Sequence, residues 1–265
     1  MSRAQRVRSA ETSARANYTD LVAFYERFFE GRLGVWQRAR RNLLRRILPH
    51  ARLVCDLACG TGRTAVEFVN RGLQVFAVDR SAAMCRATRR KTRQAKVSVD
   101  VIQADMRRFR LPQTVDLVTC EFHAINHLLS RRDLQRALGC VHSALGPGGH
   151  FYFDVIHRQG YEEGSAQRQF YEARDLALIK GYEFDRSRGR AEFAATWFTR
   201  RGRFWRRHDE RIKQAPWSDA QVRGALRSAG FQVVSRSDAA RFLPPADGRR
   251  RRGQVSFYLA RKQNS

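Results

Sequence analysis

The chain is short of lysine, of acid and of long apolar runs. Only five of its 51 basic residues are lysine, and 25 acids leave a formal charge of +26 over 265 residues. No apolar run approaches the roughly 18–20 residues that span a bilayer, so the expectation is a soluble protein without a membrane segment. The opening MSRAQRVRSAETSARANYTD lacks the apolar middle of a secretory signal. It is Arg- and Ser-rich and acid-poor, as transit peptides are, but the whole chain is Arg-rich, and 1–17 reads as a flexible tail. The five cysteines, at 55, 59, 85, 120 and 140, are odd in number and scattered. They match neither a disulfide framework nor a zinc site, and no metal is expected. They read as small buried residues in a reducing cytoplasm.

Charge of this size attracts polyanions, and a basic face is the usual footprint of nucleic-acid binding. Here the arginines fall everywhere, in RARRNLLRR, RATRRKTR, RRGRFWRR and GRRRRG. A solvated basic surface and a nucleic-acid groove both remain open on composition.

What is present is core material: 43% hydrophobic residues and 11% aromatics, enough for one large domain. YTDLVAFYERFF has apolar residues at helical spacing with Asn17 or Thr19 as a cap, and VWQRARRNLLRRIL continues as a helix stopping at Pro49. ARLVCDLA is a buried strand, CGTG a loop and RTAVEFVNRG a helix. LQVFAVD is a second strand, and SAAMCRATRRKTRQA a helix capped by Ser81. VSVDVIQAD and VDLVTC follow as strands, then a helix from Ser130, and GPGG turns into the fifth strand, HFYFDV. This alternation argues for a parallel doubly wound sheet that binds ligands along its strand C-termini. Beyond residue 170, DLALIKGYEF, GRAEFAATWFT and FWRRHDERIKQ read as a three-stranded antiparallel meander. A helix and two strands, FQVVSRS and QVSFYLARK, close the chain as an antiparallel hairpin on the sheet edge.

The loop after the first strand carries Gly60 and Gly62, which admit a ligand against bare main chain at a positive helix end. Asp79 ends the second strand 19 residues after Gly60, where dinucleotide folds hold ribose hydroxyls. The loop is not G-x-G-x-x-G, however, since Ala58 stands two before Gly60. Asp56 at the strand end would repel a pyrophosphate and suits a ligand bearing a positive amino group, which argues against a nicotinamide cofactor.

With VCDLACGTGRTA, VFAVDRSAAM, IQADMRRF, VDLVTCEFHAINHL and LGPGGHFYFDV in order, the chain resembles the class I S-adenosylmethionine-dependent methyltransferases from about residue 18 to its end. Among them it is similar to glycine and aminosugar N-methyltransferases. The resemblance implies a Rossmann-like seven-stranded doubly wound α/β sheet, mostly parallel with an antiparallel C-terminal hairpin. To this it adds a helical lid over 18–48 and a β-meander cap over about 170–214, all within a single domain, 18–265. It implies S-adenosylmethionine as cofactor, held by Asp56, Ala58, Gly60, Thr61 and Gly62. Asp79 and Arg80 would take the ribose, Met84 the adenine face and Asp105 with Met106 the adenine amino edge, with Glu121 completing the set.

The resemblance also places the acceptor near His127, which matches a histidine that some aminosugar enzymes hold beside it. A near-neutral imidazole suits a base, though a packing role stays open. The usual Asp-Ser or Ser-Ser is replaced here by His123-Ala124. Tyr18 and Tyr25, in the lid, either touch the methyl-donor region or face the core as part of an amphipathic stripe, and Trp197, Phe198, Phe204 and Trp205 either line the acceptor pocket or pack in a core. The function expected is methyl transfer to N or O of a small molecule, by a monomer or homodimer. An RNA or protein methyltransferase and a non-catalytic cofactor-binding module remain as alternatives.

Overall fold

The computed structural model describes residues 22, 25–26, 33–165, 168–243 and 253–263. Tyr18, the tail over 1–17 and its proposed helix caps lie outside the described residues.

Helix α1 (Leu33–Leu43) leads into β1 (Leu53–Leu57), α2 (Arg63–Val69), β2 (Gln74–Asp79), α3 (Ala82–Gln94), β3 (Asp100–Gln103) and β4 (Val115–Cys120). A short 3-10 turn (Ala124–His127), α4 (Arg131–Ala144) and β5 (Leu145–Ile156) follow. The seven-stranded sheet runs β10-β11-β5-β4-β1-β2-β3, with β10 (Phe231–Asp238) and β11 (Val255–Lys262) contributed by the chain's end. Alternation along the strands feeds two cores. Cys55, Leu57, Phe76 and Val78 face α4, while Val54, Val75 and Ala77 face α1 and α2. Serines start the helices as expected: Ser81 accepts from the Met84 N–H and Ser130 from the Asp133 N–H.

From β1 the chain winds outward through β2 and β3, then returns to place β4 and β5 on the other side. The direction reverses between β1 and β4, whose C-terminal loops diverge and open a crevice. The terminal hairpin differs from the expectation in one respect. β11 inserts between β5 and β10, antiparallel to both, so only β10 is an edge.

The second sheet has four strands, not three: β6 (Gln169–Ala173), β7 (Leu176–Asp185), β8 (Arg190–Arg201) and β9 (Phe204–Gln214), all antiparallel. β6 was missed because it is exposed along nearly its whole length and carries no alternation. Helix α5 (Arg158–Ser165), with two glycines in eight residues, was likewise unforeseen. Between β10 and the meander lies α6 (Asp219–Ser228), started by a Ser218/Gln221 capping box.

Candidate functional site

Four loops at the C-terminal ends of β1 to β4 line one cavity of about 280 Å3. Asp56, Ala58, Gly60, Thr61, Asp79, Arg80, Met84, Asp105, Met106, Glu121 and His127 all border it, as does Tyr25. Gly62 does not. It sits buried at the start of α2 with φ +80°, and a Cβ there would lie 2.6 Å from Thr88 Cγ2. Gly62 is therefore required by the packing of α2 on α3 rather than by close approach of a ligand. Gly62→Ala is expected to cost about 2–4 kcal/mol in urea unfolding, from left-handed strain plus overpacking. A second change, Thr88→Ala, should recover part of that loss. Gly60 is needed for its φ of +56° alone, with only Tyr25 near the missing Cβ.

Asp79 holds the loop in place. Its Oδ2 accepts from the Gly60 N–H at 3.0 Å and its Oδ1 from the Ser81 N–H at 2.8 Å, while desolvation raises its pKa above the ordinary carboxylate value. Asp105 is clamped by Arg107, whose Nε and Nη2 donate at 2.9 and 2.7 Å, and this pairing lowers the pKa of Asp105. The buried Met84 side chain forms part of the cavity wall from the first turn of α3. From the N-terminal segment, Glu26 accepts from Thr61 Oγ1 at 2.6 Å and pairs with Lys91, so residues 25–26 lie against the loop.

The deepest part of the wall is acidic. Asp56 and Glu121 are buried, and burial, then repulsion from Glu121, raises Asp56 to about 7. Glu121 is also raised to about 7, mainly by burial and against the pull of Arg40. Thr119 Oγ1 donates to Asp56 Oδ1 at 3.1 Å and Thr64 Oγ1 to Glu121 Oε2 at 3.2 Å. The other oxygens, Asp56 Oδ2 and Glu121 Oε1, have no hydrogen-bond partner among the described residues. Arg40 on α1 is almost fully buried, pairing with both Glu67 and Glu121 over the ring of Phe68. Its place in an arginine run hid it; only its position on the apolar side of α1, one residue after the fully buried Ala39, distinguishes it.

His127 is held by a rigid frame. Asn126, fully buried, donates to the carbonyls of Ile156 and Ala215 and accepts from the Ile156 N–H. Gln214 Nε2, at the end of β9, lies 3.4 Å from His127 Nε2. Desolvation, with Arg80 and His123 nearby, pushes His127 down to about 3. It is a neutral imidazole and a weak base, in contrast to the near-neutral base expected.

A second cavity, of about 320 Å3, is lined by Trp36, His123, Lys180, Tyr182 and Phe193 among others. The aromatics assigned to an acceptor pocket are elsewhere. Trp197 fills the meander core at 0% exposure, Phe204 and Trp205 are exposed at 65% and 47%, and none of these or Phe198 lines either cavity.

A family model described as a methyltransferase domain matches residues 54–149, the span from β1 into β5 that carries most of the cavity. The match to a methyltransferase domain thus covers residues 54–149. The dTDP-3-amino-3,6-dideoxy-alpha-D-glucopyranose N,N-dimethyltransferase of Streptomyces fradiae is 31% identical over 134 residues, 49% of this chain and 51% of that protein. An S-adenosylmethionine-dependent methyltransferase from Clostridium acetobutylicum has the same fold at TM-score 0.77 and 18% identity, with 93% of this chain and 99% of that one covered. The sugar N-methyltransferase KedS8 from Streptoalloteichus follows at TM-score 0.72 and 22% identity, covering 91% and 93%. The methyltransferase fold thus extends over nearly the whole chain.

Proposed function

We propose that the chain transfers a methyl group from S-adenosylmethionine to nitrogen or oxygen of a small molecule. The observation that carries this reading is the pair of buried carboxyl oxygens, Asp56 Oδ2 and Glu121 Oε1, left without hydrogen-bond partners in a cavity wall. A buried carboxyl oxygen without a partner is costly, and two such oxygens together suit a cationic amino group far better than a pyrophosphate. Asp79 and Asp105 border the same cavity with Met84 between them in the chain, a donor set that fits an amino-acid nucleoside. When bound, the cofactor supplies a sulfonium methyl group open to direct displacement. The protein's part is to hold and align the reactants and to exclude water, and alignment carries most of such a barrier. The nucleotide-sugar N,N-dimethyltransferase from Streptomyces fradiae and KedS8 support a small acceptor over a polymer.

Thermal shift with S-adenosylmethionine, S-adenosylhomocysteine and NAD tests the assignment through ligand-linked stabilisation. Both sulfur nucleosides should raise the melting temperature at millimolar concentration and NAD should not; no shift with either would refute the reading. An ammonium between the two acids favours their ionised forms, so binding releases protons and affinity rises with pH between about 6 and 8. Calorimetry in buffers of different ionisation enthalpy checks the sign. Turnover across a panel of small amines and alcohols separates an enzyme from a binding module. RNA binding with a steep salt slope would move the acceptor to nucleic acid.

A further inference from the structure

His123 and Asp154 form a buried couple outside the cofactor-holding set. Asp154 is wholly buried on β5. Its Oδ2 accepts from the His123 backbone N–H at 3.0 Å and lies 2.7 Å from His123 Nδ1. Its Oδ1 has no hydrogen-bond partner among the described residues, so every polar contact of this carboxylate described here goes to His123. The imidazole packs edge-on to Trp36, with centroids 5.3 Å apart. Nδ1 lies within ion-pair distance of Asp154 without a hydrogen bond among the described residues; none is described for Nε2 either, and the ring borders the second cavity.

The backbone is strained to achieve this. Phe122 and His123 stand consecutively at φ +59° and +60°, where each non-glycine residue costs roughly 1–2 kcal/mol. Strain of this kind persists only when the surroundings enforce it, and it gathers at functional sites. Its effect is to send Phe122 to the wall of the first cavity and His123 to the wall of the second. Tyr25 borders the first cavity, and its hydroxyl is pushed up by burial, then by Asp79 of the first, Tyr182 of the second, and Asp154.

Resting on the methyl-transfer reading, we infer that His123, oriented by Asp154, is the base that removes the proton from an amine acceptor seated in the second cavity. An amine is cationic near neutral pH and has no lone pair to give. The ammonium N–H bond breaks and its proton goes to His123 Nε2. The electron pair left on nitrogen forms the bond to the methyl carbon, and sulfur keeps the pair of the broken C–S bond. The imidazolium is then balanced by Asp154, the arrangement that orients and charges a catalytic histidine in hydrolases. His127 does not fill this role, being held neutral against protonation beside Gln214.

Other titratable groups bear on His123. His127 is close enough for its pKa to be lowered by His123. Asp154 is in turn felt by Cys120, Glu121 and Tyr25. Glu163, Lys180 and Tyr182 line the same cavity. Among the described residues, Asp154 alone lies at ion-pair distance from the ring.

Diethyl pyrocarbonate acylation of the full chain, followed by mass spectrometry across pH 5–9, tests the couple without cofactor or acceptor. His123 should be modified, and Asp154→Asn should change the rate of that modification at fixed pH, since the carboxylate beside the ring is gone. A second arm measures methylation of the probe dTDP-3-amino-3,6-dideoxyglucose by His123→Gln. The turnover number should fall about 10²–10⁴-fold at pH 7, and the deficit should shrink toward pH 9.5 as the amine deprotonates unaided. An unmodified His123, an unchanged modification rate in Asp154→Asn, or a deficit independent of pH would each overturn the inference. Stabilisation of His123→Gln by S-adenosylhomocysteine keeps such a failure distinct from failure of the methyl-transfer reading.

Discussion

Asparagine at position 56 is expected to make the empty protein more stable above pH 7 while removing its stabilisation by S-adenosylmethionine. Asp56 is buried beside Glu121 and its folded pKa, about 7, stands above the ordinary 3.8. A raised acid takes up protons on folding between those values, so its contribution to stability is present at low pH and lost as pH rises through 7. Above that range the native state carries a buried charge with one oxygen unpaired. Asparagine keeps the acceptor for Thr119, removes the charge and brings an N–H toward an acidic neighbour. A gain of roughly 1–3 kcal/mol is expected at pH 8, the scale of an unsatisfied buried polar group. At pH 4 the gain should vanish. Urea unfolding of Asp56→Asn at the two pH values, with thermal shift on the same samples, reads both halves. If the variant is no more stable at pH 8 yet still binds, the acid pair has been misjudged.

Arg40→Met should have the opposite character, with heavy loss of stability. The guanidinium is enclosed among Glu67, Glu121 and the face of Phe68. A methionine occupies much of the same volume but leaves Glu121 without its buried counter-charge. Breaking a buried pair from one side costs about 3–5 kcal/mol. Adding Glu121→Gln should return a good part of that stability, because the orphaned charge goes with it. A single variant within 1 kcal/mol of the parent would show that Arg40 offsets little of the acid burial.

The first half of the fold was legible because β1, β2 and β4 are short buried runs with an acid in them or just after, and two of the helices, α3 and α4, carry serine caps. The cavity was legible for a related reason: Asp56, Asp79, Asp105 and Glu121 follow or end consecutive strands, and a parallel sheet brings those ends together. Residues whose role depends on a distant partner were not legible. Arg40 meets Glu121 across 81 positions and Gln214 meets His127 across 87. His123 and Asp154, 31 apart, are joined only because β4 and β5 are neighbours. The strand aromatics misled because Trp197 and Phe204 look alike in a pattern, while one fills a core and the other faces water.

The position of β11 bears on how the molecule is made. A ribosome delivers β5 by residue 156 and β10 by residue 238, yet the strand that belongs between them comes from residues 255–262. Until residues 255–262 leave the exit tunnel, β5 has an unpaired side, and an open strand edge invites pairing with other chains. The interval between the emergence of β5 and that of β11 is therefore a time of exposure to aggregation, and β11 ends it from inside the sheet.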